Sequence, residues 1–137
     1  MAQFDDFVAA NCAIFCDGEL IVLLRDDIET IPWPGYWDFP GGGREGFESP
    51  FKCVQRETFE ELGVLITLQD VHFSMAYQSP TQQHRQSWFF AAQIDAVRRD
   101  QIVFGDEGQG WVQMPLETFI EHPKAIPFLV KLLKRYL

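Results

Sequence analysis

Three glutamates near the middle of the chain have a spacing that could hold a metal ion. Glu57, Glu60 and Glu61 stand at positions i, i+3 and i+4, which lie on one face of an α-helix. Neighbouring carboxylates repel one another, and a divalent cation would remove that repulsion. Their oxygens are hard ligands that suit Mg²⁺ or Mn²⁺ better than zinc. The alternative is a solvated helix face, on which the acids pair with Arg56 and Lys52.

The residues that flank these acids predict a loop followed by a helix. Residues 40–43 are Pro-Gly-Gly-Gly, a stretch whose backbone can approach another group closely. Ser49 is a good N-cap, Pro50 suits the first helical position and Gly63 suits the C-cap. We therefore expect a helix over residues 50–62, folded back against a glycine loop. Residues 41–46 also satisfy G-x-G-x-x-G, but a dinucleotide-binding motif would open a helix at once.

The complete pattern resembles the Nudix box of the Nudix hydrolase superfamily. It has five residues between Gly42 and Glu48, seven more before Arg56, and then Arg56-Glu57-Thr58-x-Glu60-Glu61-x-Gly63 with apolar Val64. Seven fixed identities at roughly 7% average usage would coincide by chance about once in 10⁸ start positions. One neighbouring position departs from the family, because Phe47 stands where members often have glycine.

The resemblance implies a role for each residue of the box. Glu57, Glu60 and Glu61 would bind the metal together with the carbonyl oxygen of Gly41. Arg56 would pair with a box glutamate and orient it. The remaining box residues would shape the loop and the helix: Gly42, Glu48 and Gly63.

MutT-type members of the family carry a further glutamate in a late loop, where it completes the metal site. The segment Glu107-Gly108-Gln109, followed by a strand that begins near Trp111, resembles that loop. The resemblance thus implies that Glu107 is an additional metal ligand, with Asp106 as its substitute. Either a box glutamate or Glu107 would be the general base, and the sequence leaves that choice open.

Five other side chains are candidates for binding the substrate: Arg25, Trp33, Tyr36, His84 and Arg85. Arg25 is either an exposed residue at a strand end or a contact to a phosphate or base of the substrate, since MutT-type members have an arginine at the corresponding place. Trp33 and Tyr36 either stack on a base or pack within their loop. We expect their neighbours Trp37 and Phe39 to belong to the core of a short strand.

The resemblance implies a Nudix fold, in which a mixed β-sheet lies between α-helices. The hydrophobic pattern alone gives only an α/β or α+β domain. Apolar runs predict strands at residues 7–16, 20–24, 64–67, 71–77, 87–94 and 111–114. Helices are predicted at residues 50–62, 115–120 and within 123–137, and a turn region at 96–101. Asp17-Gly18 predicts a hairpin.

The implied activity is a Mg²⁺-dependent pyrophosphohydrolase, with Mn²⁺ as a substitute metal, that converts a nucleoside triphosphate to a monophosphate and pyrophosphate. The alternative within the family is an ADP-ribose or nucleotide-sugar pyrophosphatase. A second alternative is a non-catalytic nucleotide-binding module, although such modules typically lose box acids that this chain retains.

Length and composition limit the remaining choices. The 137 residues are enough for one domain, residues 1–137. A net charge of −9 without a basic run argues against binding polymeric nucleic acid. No apolar run approaches membrane-spanning length. Three cysteines without a Cys-x-x-Cys pair favour a reducing compartment, the cytoplasm. A monomer and a homodimer both remain open.

Overall fold

The longest strand, β1 (Phe7–Cys16), is the centre of the sheet. The structure is a computed structural model, and it describes residues 6–137. A hairpin joins β1 to β2 (Glu19–Leu24). Asp17 and Gly18 at the turn have φ values of 52° and 79°, as a two-residue turn that matches the strand twist requires. The predicted hairpin is therefore confirmed.

Five shorter or peripheral strands complete the sheet around this hairpin. They are β3 (Trp37–Asp38), β4 (Gly41–Gly43), β5 (Val71–Gln78), β6 (Gln86–Gln93) and β7 (Gly110–Met114). The main path runs β3-β2-β1-β6-β5, while β4 pairs with β1 and β7 pairs with β2. β1 and β6 run parallel, and the other strand pairs are antiparallel. The sheet is mixed, as expected.

Helices cover both faces of this sheet. α1 (Pro50–Leu62) buries Cys53, Val54 and Leu62 against one face. The opposite face is covered by α3 (Leu116–Glu121) and α4 (Pro127–Tyr136), whose buried side chains are Phe119, Leu129, Leu132 and Leu133. Successive residues of a strand point to opposite faces, so each buried strand supplies both cores. This arrangement confirms the predicted α+β fold with a sheet between helices. No helix in residues 6–137 has the length and apolarity needed to cross a membrane.

The ends of α1 agree with the sequence prediction. The Ser49 side chain accepts a hydrogen bond from the Lys52 amide at 3.2 Å. Gly63 closes the helix with φ 68°, and its amide donates to the carbonyl of Phe59. The caps satisfy backbone groups that would otherwise lack partners. The direction and length of the acidic helix are therefore fixed locally.

The predicted strand at residues 64–67 is wrong. This segment has no strand pairing and leads into a 3₁₀ turn at Leu68–Asp70. Val64 and Ile66 are buried and Leu65 is exposed, which imitates the alternation of a strand. The Ile66 carbonyl instead accepts a hydrogen bond from the Gln55 side chain at 2.8 Å.

Two further predictions need correction. Residues 96–101 are not only a turn, because α2 (Ala96–Arg99) forms there, with the Asp95 side chain accepting from the Arg98 amide. Residues 41–43 are not a free glycine loop, because they form β4 and pair with residues 9–11 of β1. Glycine is required in this strand because the backbones approach closely. A Cβ on Gly41 would collide with the Ala10 carbonyl oxygen.

Candidate active site

The acidic face of α1 opens into a cavity of about 360 Å³. We call it the acidic cavity, and its lining residues are Glu57, Glu60, Glu61, Asp106 and Glu107. The helical spacing brings the first three together. The connection between α2 and β7 supplies the other two. Box acids and late-loop acids, about 50 residues apart in sequence, therefore meet at one site.

Arg56 ties the acidic helix to the glycine strand. Its Nη1 lies 3.2 Å from a Glu57 oxygen and 3.3 Å from a Glu60 oxygen. Its Nε donates to Glu48 at 2.6 Å, and its Nη2 donates to the Gly43 carbonyl at 2.9 Å. The guanidinium lowers the pKa of the Glu48 carboxyl chiefly by hydrogen bonding to it. Glu48 is thus an ionised anchor for Arg56.

The glycine strand also holds two of the glutamates directly. The Gly41 amide donates to a Glu61 oxygen at 2.9 Å. Gly42 lies under Glu57 so closely that a Cβ there would stand 2.5 Å from the carboxyl carbon. Glycine at this position thus makes room for the acid. The structure shows a contact from the Gly41 amide, and a metal bond from its carbonyl stays a prediction.

Burial and mutual repulsion disfavour the ionised forms of two carboxyl groups in the acidic cavity. Burial raises the pKa of Glu61 to about 8, and repulsion from Glu57, Asp38 and Glu107 adds to the increase. Burial also raises the pKa of Glu57 despite its contact with Arg56. Buried charges are normally paired or bound to metal. The donor set therefore fits a hard divalent cation.

The side chains are not arranged as a ready-made metal site. Within residues 6–137, no three aspartate, glutamate, histidine or cysteine side chains are grouped so as to hold an ion. Glu57 and Glu60 are turned towards Arg56, and Glu61 is turned towards the Gly41 amide. Binding a cation would thus require carboxylates to exchange these partners for the metal.

Backbone hydrogen bonds fix the loop that carries Glu107. Amides of the loop donate two of them to carbonyls at the end of α1, one to the carbonyl at the end of β2 and one to a carboxylate two residues beyond β2. They run from Val103 to Leu62, Gly105 to Glu61, Gln109 to Leu24 and Gly108 to the Asp26 carboxylate, over 2.8–3.2 Å. Gly105 lies directly on the helix, where a Cβ would collide with the Glu60 carbonyl oxygen. The position of Glu107 therefore depends on close backbone packing.

A second cavity of about 340 Å³ lies beside β4. We call it the sheet cavity. Its walls include Tyr77 from β5 and Phe128 from α4, whose ring centroids are 6.2 Å apart. The Asn11 amide nitrogen donates to the Tyr77 hydroxyl at 3.0 Å. Flat apolar walls with a few polar groups are typical of sites for small organic ligands.

A smaller cavity of about 150 Å³ connects these two sites through shared lining residues. We call it the junction cavity. It shares Arg25 and Asp38 with the sheet cavity, and Glu61 and Glu107 with the acidic cavity. The three cavities therefore form a row that begins at aromatic side chains and ends at carboxylates.

Of the five predicted substrate contacts, Arg25 alone lines any of these three cavities. Trp33 and Tyr36 pack against each other, with ring centroids 5.1 Å apart. His84 is exposed, and Arg85 donates to the Asp6 carbonyl at 2.8 Å. The β5–β6 connection instead contributes residues 79–82 to the sheet cavity.

Sequence reasoning missed several residues of the site: Asn11, Asp38, Tyr77, Gly105 and Phe128. Asp38 had a visible signal, since a lone carboxylate stood among aromatic residues next to the glycine stretch. Tyr77 and Phe128 had none, because they lie on distant elements whose apolar character predicts core packing equally well. Phe39 is buried in the core as predicted, and Trp37 is partly buried in β3.

Known proteins share both the sequence pattern and the fold. The model of the NUDIX domain family matches residues 6–136. A protein of Proteus vulgaris named 8-oxo-dGTP diphosphatase is 32% identical over 80 residues, which are 58% of this chain and 71% of that protein.

Two solved structures have similar folds at low sequence identity. A MutT protein from Methanosarcina mazei Go1 superimposes with a TM-score of 0.73 at 19% identity, covering 98% of this chain and 96% of the other. An Ap4A hydrolase of C. elegans has a TM-score of 0.70 at 21% identity, covering 93% and 94%.

Proposed function

Because this chain belongs to the NUDIX domain family and is a hydrolase of phosphoric anhydrides, we propose that it converts a nucleoside triphosphate to a nucleoside monophosphate and pyrophosphate. The observation that carries this proposal is the row of three cavities. A nucleoside fits the sheet cavity, phosphates fit the junction cavity, and the reacting phosphate fits the acidic cavity.

The charges along the row support this orientation of the substrate. Arg25 lines the junction cavity and offers a cation to the phosphate nearest the nucleoside. The acidic cavity would repel a polyphosphate unless a metal were bound there. We therefore propose that a divalent ion, Mg²⁺ or Mn²⁺, is held by Glu57, Glu60, Glu61 and Glu107, with the Gly41 carbonyl as a further ligand.

When bound, such an ion would neutralise the phosphate oxygens and make a bound water more acidic. The chain's own residues prepare the site for this chemistry. Arg56 orients Glu57 and Glu60, and Glu48 holds Arg56 in place. A glutamate of the acidic cavity accepts the proton of the attacking water. The water oxygen bonds to the β-phosphorus, the bond from that phosphorus to the α–β bridging oxygen breaks, and the nucleoside monophosphate leaves with the electron pair, so that the water and the two outer phosphates form pyrophosphate.

A triphosphate is favoured over a nucleotide sugar by the relative from Proteus vulgaris, whose name describes a nucleoside triphosphate as its substrate. We further propose that residues 1–137 act as one domain in the cytoplasm. The buried free thiols of Cys12, Cys16 and Cys53 agree with a reducing compartment.

The direct test is product analysis with Mg²⁺ and a panel of canonical and oxidised nucleoside triphosphates, ADP-ribose, nucleotide sugars and dinucleoside polyphosphates. We expect a triphosphate to give equal amounts of monophosphate and pyrophosphate. Exclusive cleavage of ADP-ribose or a nucleotide sugar would refute the triphosphate proposal and keep the proposed metal site. No turnover with either Mg²⁺ or Mn²⁺ would favour a nucleotide-binding module.

A matched pair of variants tests the acidic cavity. Glu60→Gln removes one proposed ligand from the exposed face of α1, and we expect at least a 100-fold loss of kcat with the fold retained. Glu121→Gln makes the same chemical change on the exposed end of α3, away from the three cavities, and should leave turnover unchanged. Equal turnover in both variants would contradict the assignment.

A further inference from the structure

Two fixed acceptors hold the Arg25 side chain. Its Nε donates to the Pro32 carbonyl at 2.9 Å, and its Nη1 donates to an Asp38 oxygen at 2.9 Å. The other Asp38 oxygen accepts a hydrogen bond from the Phe39 amide at 2.8 Å. Phe39 is buried in the core, so the carboxylate that holds Arg25 is itself anchored to a rigid part of the sheet.

Arg25 and Asp38 both line the sheet cavity and the junction cavity. Arg25 is the one cationic side chain among the residues that line the three cavities. Within residues 6–137, the Nε and Nη1 of Arg25 each donate a hydrogen bond to a protein acceptor, whereas its Nη2 donates none. A guanidinium held at two nitrogens, with the third free beside a boundary between cavities, is prepared to bind one anionic group.

The ion pair is partly shielded from water. The side chains of Arg25 and Asp38 are 27% and 24% exposed. Burial raises the pKa of Asp38, although Arg25 opposes that change. A carboxylate kept in such a place next to a phosphate path is unfavourable for binding anions by charge alone. The hydrogen bond from Arg25 to this carboxylate gives it a role other than charge.

We infer that Asp38 is a positioning residue that holds Arg25 where its free Nη2 binds the phosphate attached to the nucleoside. The inference rests on the proposed function, because it takes the substrate to be a nucleotide with its nucleoside in the sheet cavity. Asp38 itself does not contact the substrate. It limits the side-chain freedom of Arg25, so that less entropy is lost when the phosphate binds.

This role predicts an effect opposite in sign to that of simple charge removal. Asp38→Asn deletes a negative charge near a proposed phosphate site, and Coulomb repulsion alone would then predict tighter phosphate binding. Loss of the charge-assisted bond, however, releases Arg25 from its fixed orientation. The positioning role therefore predicts weaker phosphate binding.

The experiment measures how much a 5′-phosphate improves binding. Calorimetric titrations without divalent metal, in EDTA, compare guanosine with GMP and adenosine with AMP. For each protein, the phosphate factor is the Kd of the nucleoside divided by the Kd of the monophosphate. We expect Asp38→Asn and Arg25→Gln each to lower this factor about tenfold, while the nucleoside Kd changes less than twofold. The double variant should lower the factor no further.

Asp27→Asn is the matched control. It removes the same charge from an exposed residue of the β2–β3 connection that lines none of the three cavities. We expect it to keep the wild-type phosphate factor. Asp38→Glu is the second variant if Asp38→Asn fails to fold, because it keeps the charge but displaces it by one methylene, and it should also lower the factor.

Three results would overturn the inference. The first is an unchanged or increased phosphate factor in a folded Asp38 variant. The second is an equal loss of nucleoside and monophosphate binding, which would mean that Asp38 contacts the nucleoside. The third is absence of binding of either ligand class to the unmodified protein. Because the titrations involve no hydrolysis, a lowered phosphate factor in the variants, together with no triphosphate turnover by the unmodified protein, would refute the proposed reaction and leave this inference standing.

Discussion

Replacing Gly105 with alanine should push the loop that carries Glu107 away from the C-terminal end of α1. The added Cβ would collide with the Glu60 carbonyl oxygen and would lie 3.5 Å from both the Glu60 carbonyl carbon and the Glu61 Cα. The obstacle is the backbone of a helix, which cannot rotate away as a side chain can. The loop that carries Glu107 must therefore move.

The size of the effect follows from this geometry. Relief of the collision requires a shift of roughly half an ångström or more, and overpacking of this kind costs about 1–3 kcal/mol. The shift also weakens the 2.9 Å hydrogen bond from the Gly105 amide to the Glu61 carbonyl, at about 1 kcal/mol. Misplacement of a catalytic group by about 1 Å can lower a rate about 100-fold. We expect Gly105→Ala to lower kcat about 10- to 100-fold.

The assay combines steady-state hydrolysis of the best triphosphate with urea unfolding. Gly18→Ala is the matched control, because Gly18 has φ +79° in a remote turn where an added methyl group would meet no atom within 4 Å. That variant should lose about 1 kcal/mol of stability through backbone strain and keep full activity. The comparison distinguishes loss of stability from misplacement of Glu107.

A double-mutant cycle tests whether the effect passes through Glu107. If it does, adding Gly105→Ala to Glu107→Gln should lower kcat little further. Wild-type kcat in a folded Gly105→Ala protein would refute the claim that close packing of the loop positions this acid. Additive losses would mean that Gly105 acts instead through the end of α1.

Three other predictions concern Gly42, a structural ion pair and metal removal. Gly42→Ala should push Glu57 from its place, because the new methyl would stand 2.5 Å from the carboxyl carbon; we expect at least a tenfold loss of kcat with an unchanged circular dichroism spectrum. Arg98 lowers the pKa of Asp70 to about 2 through hydrogen bonds, so this pair stabilises the fold fully above the unfolded pKa of about 4 and loses its effect as pH falls through 2. Urea unfolding should thus show that Asp70→Asn is less stable than the wild type by about 1 kcal/mol at pH 7, after allowance for solvent screening. This difference should shrink as the pH falls from about 5 to about 2. A difference that stays constant over this range would contradict the assigned role of the pair. EDTA should abolish hydrolysis, and added Mg²⁺ or Mn²⁺ should restore it, whereas full activity in EDTA would exclude the metal-dependent reaction.

Local sequence determined the helix that carries the acids. Ser49 and Gly63 close it at the predicted ends, since caps satisfy backbone groups within a few residues. The spacing of Glu57, Glu60 and Glu61 then places them on one face whatever the rest of the fold does. The Asp17-Gly18 hairpin was equally local. These features were readable because each depends on neighbours in the chain.

Other features depended on partners far away in sequence. Residues 64–67 alternate like a strand, yet no neighbouring strand pairs with them. Residues 41–43 were predicted as a loop, but they pair with residues 9–11 of β1 and form a strand. Hydrophobic alternation records which side chains are buried and does not say whether the backbone finds a partner.

The sequence by itself determined the family, the acidic helix and the kind of ion that it could bind. Tertiary structure decided which other residues share the site, bringing Tyr77, Phe128 and the Arg25–Asp38 pair to the same row of cavities and leaving Trp33 and His84 outside it. The physical reason is that a motif within about 20 residues is held by local backbone geometry. A substrate pocket is instead the space between elements that meet only after the sheet has formed.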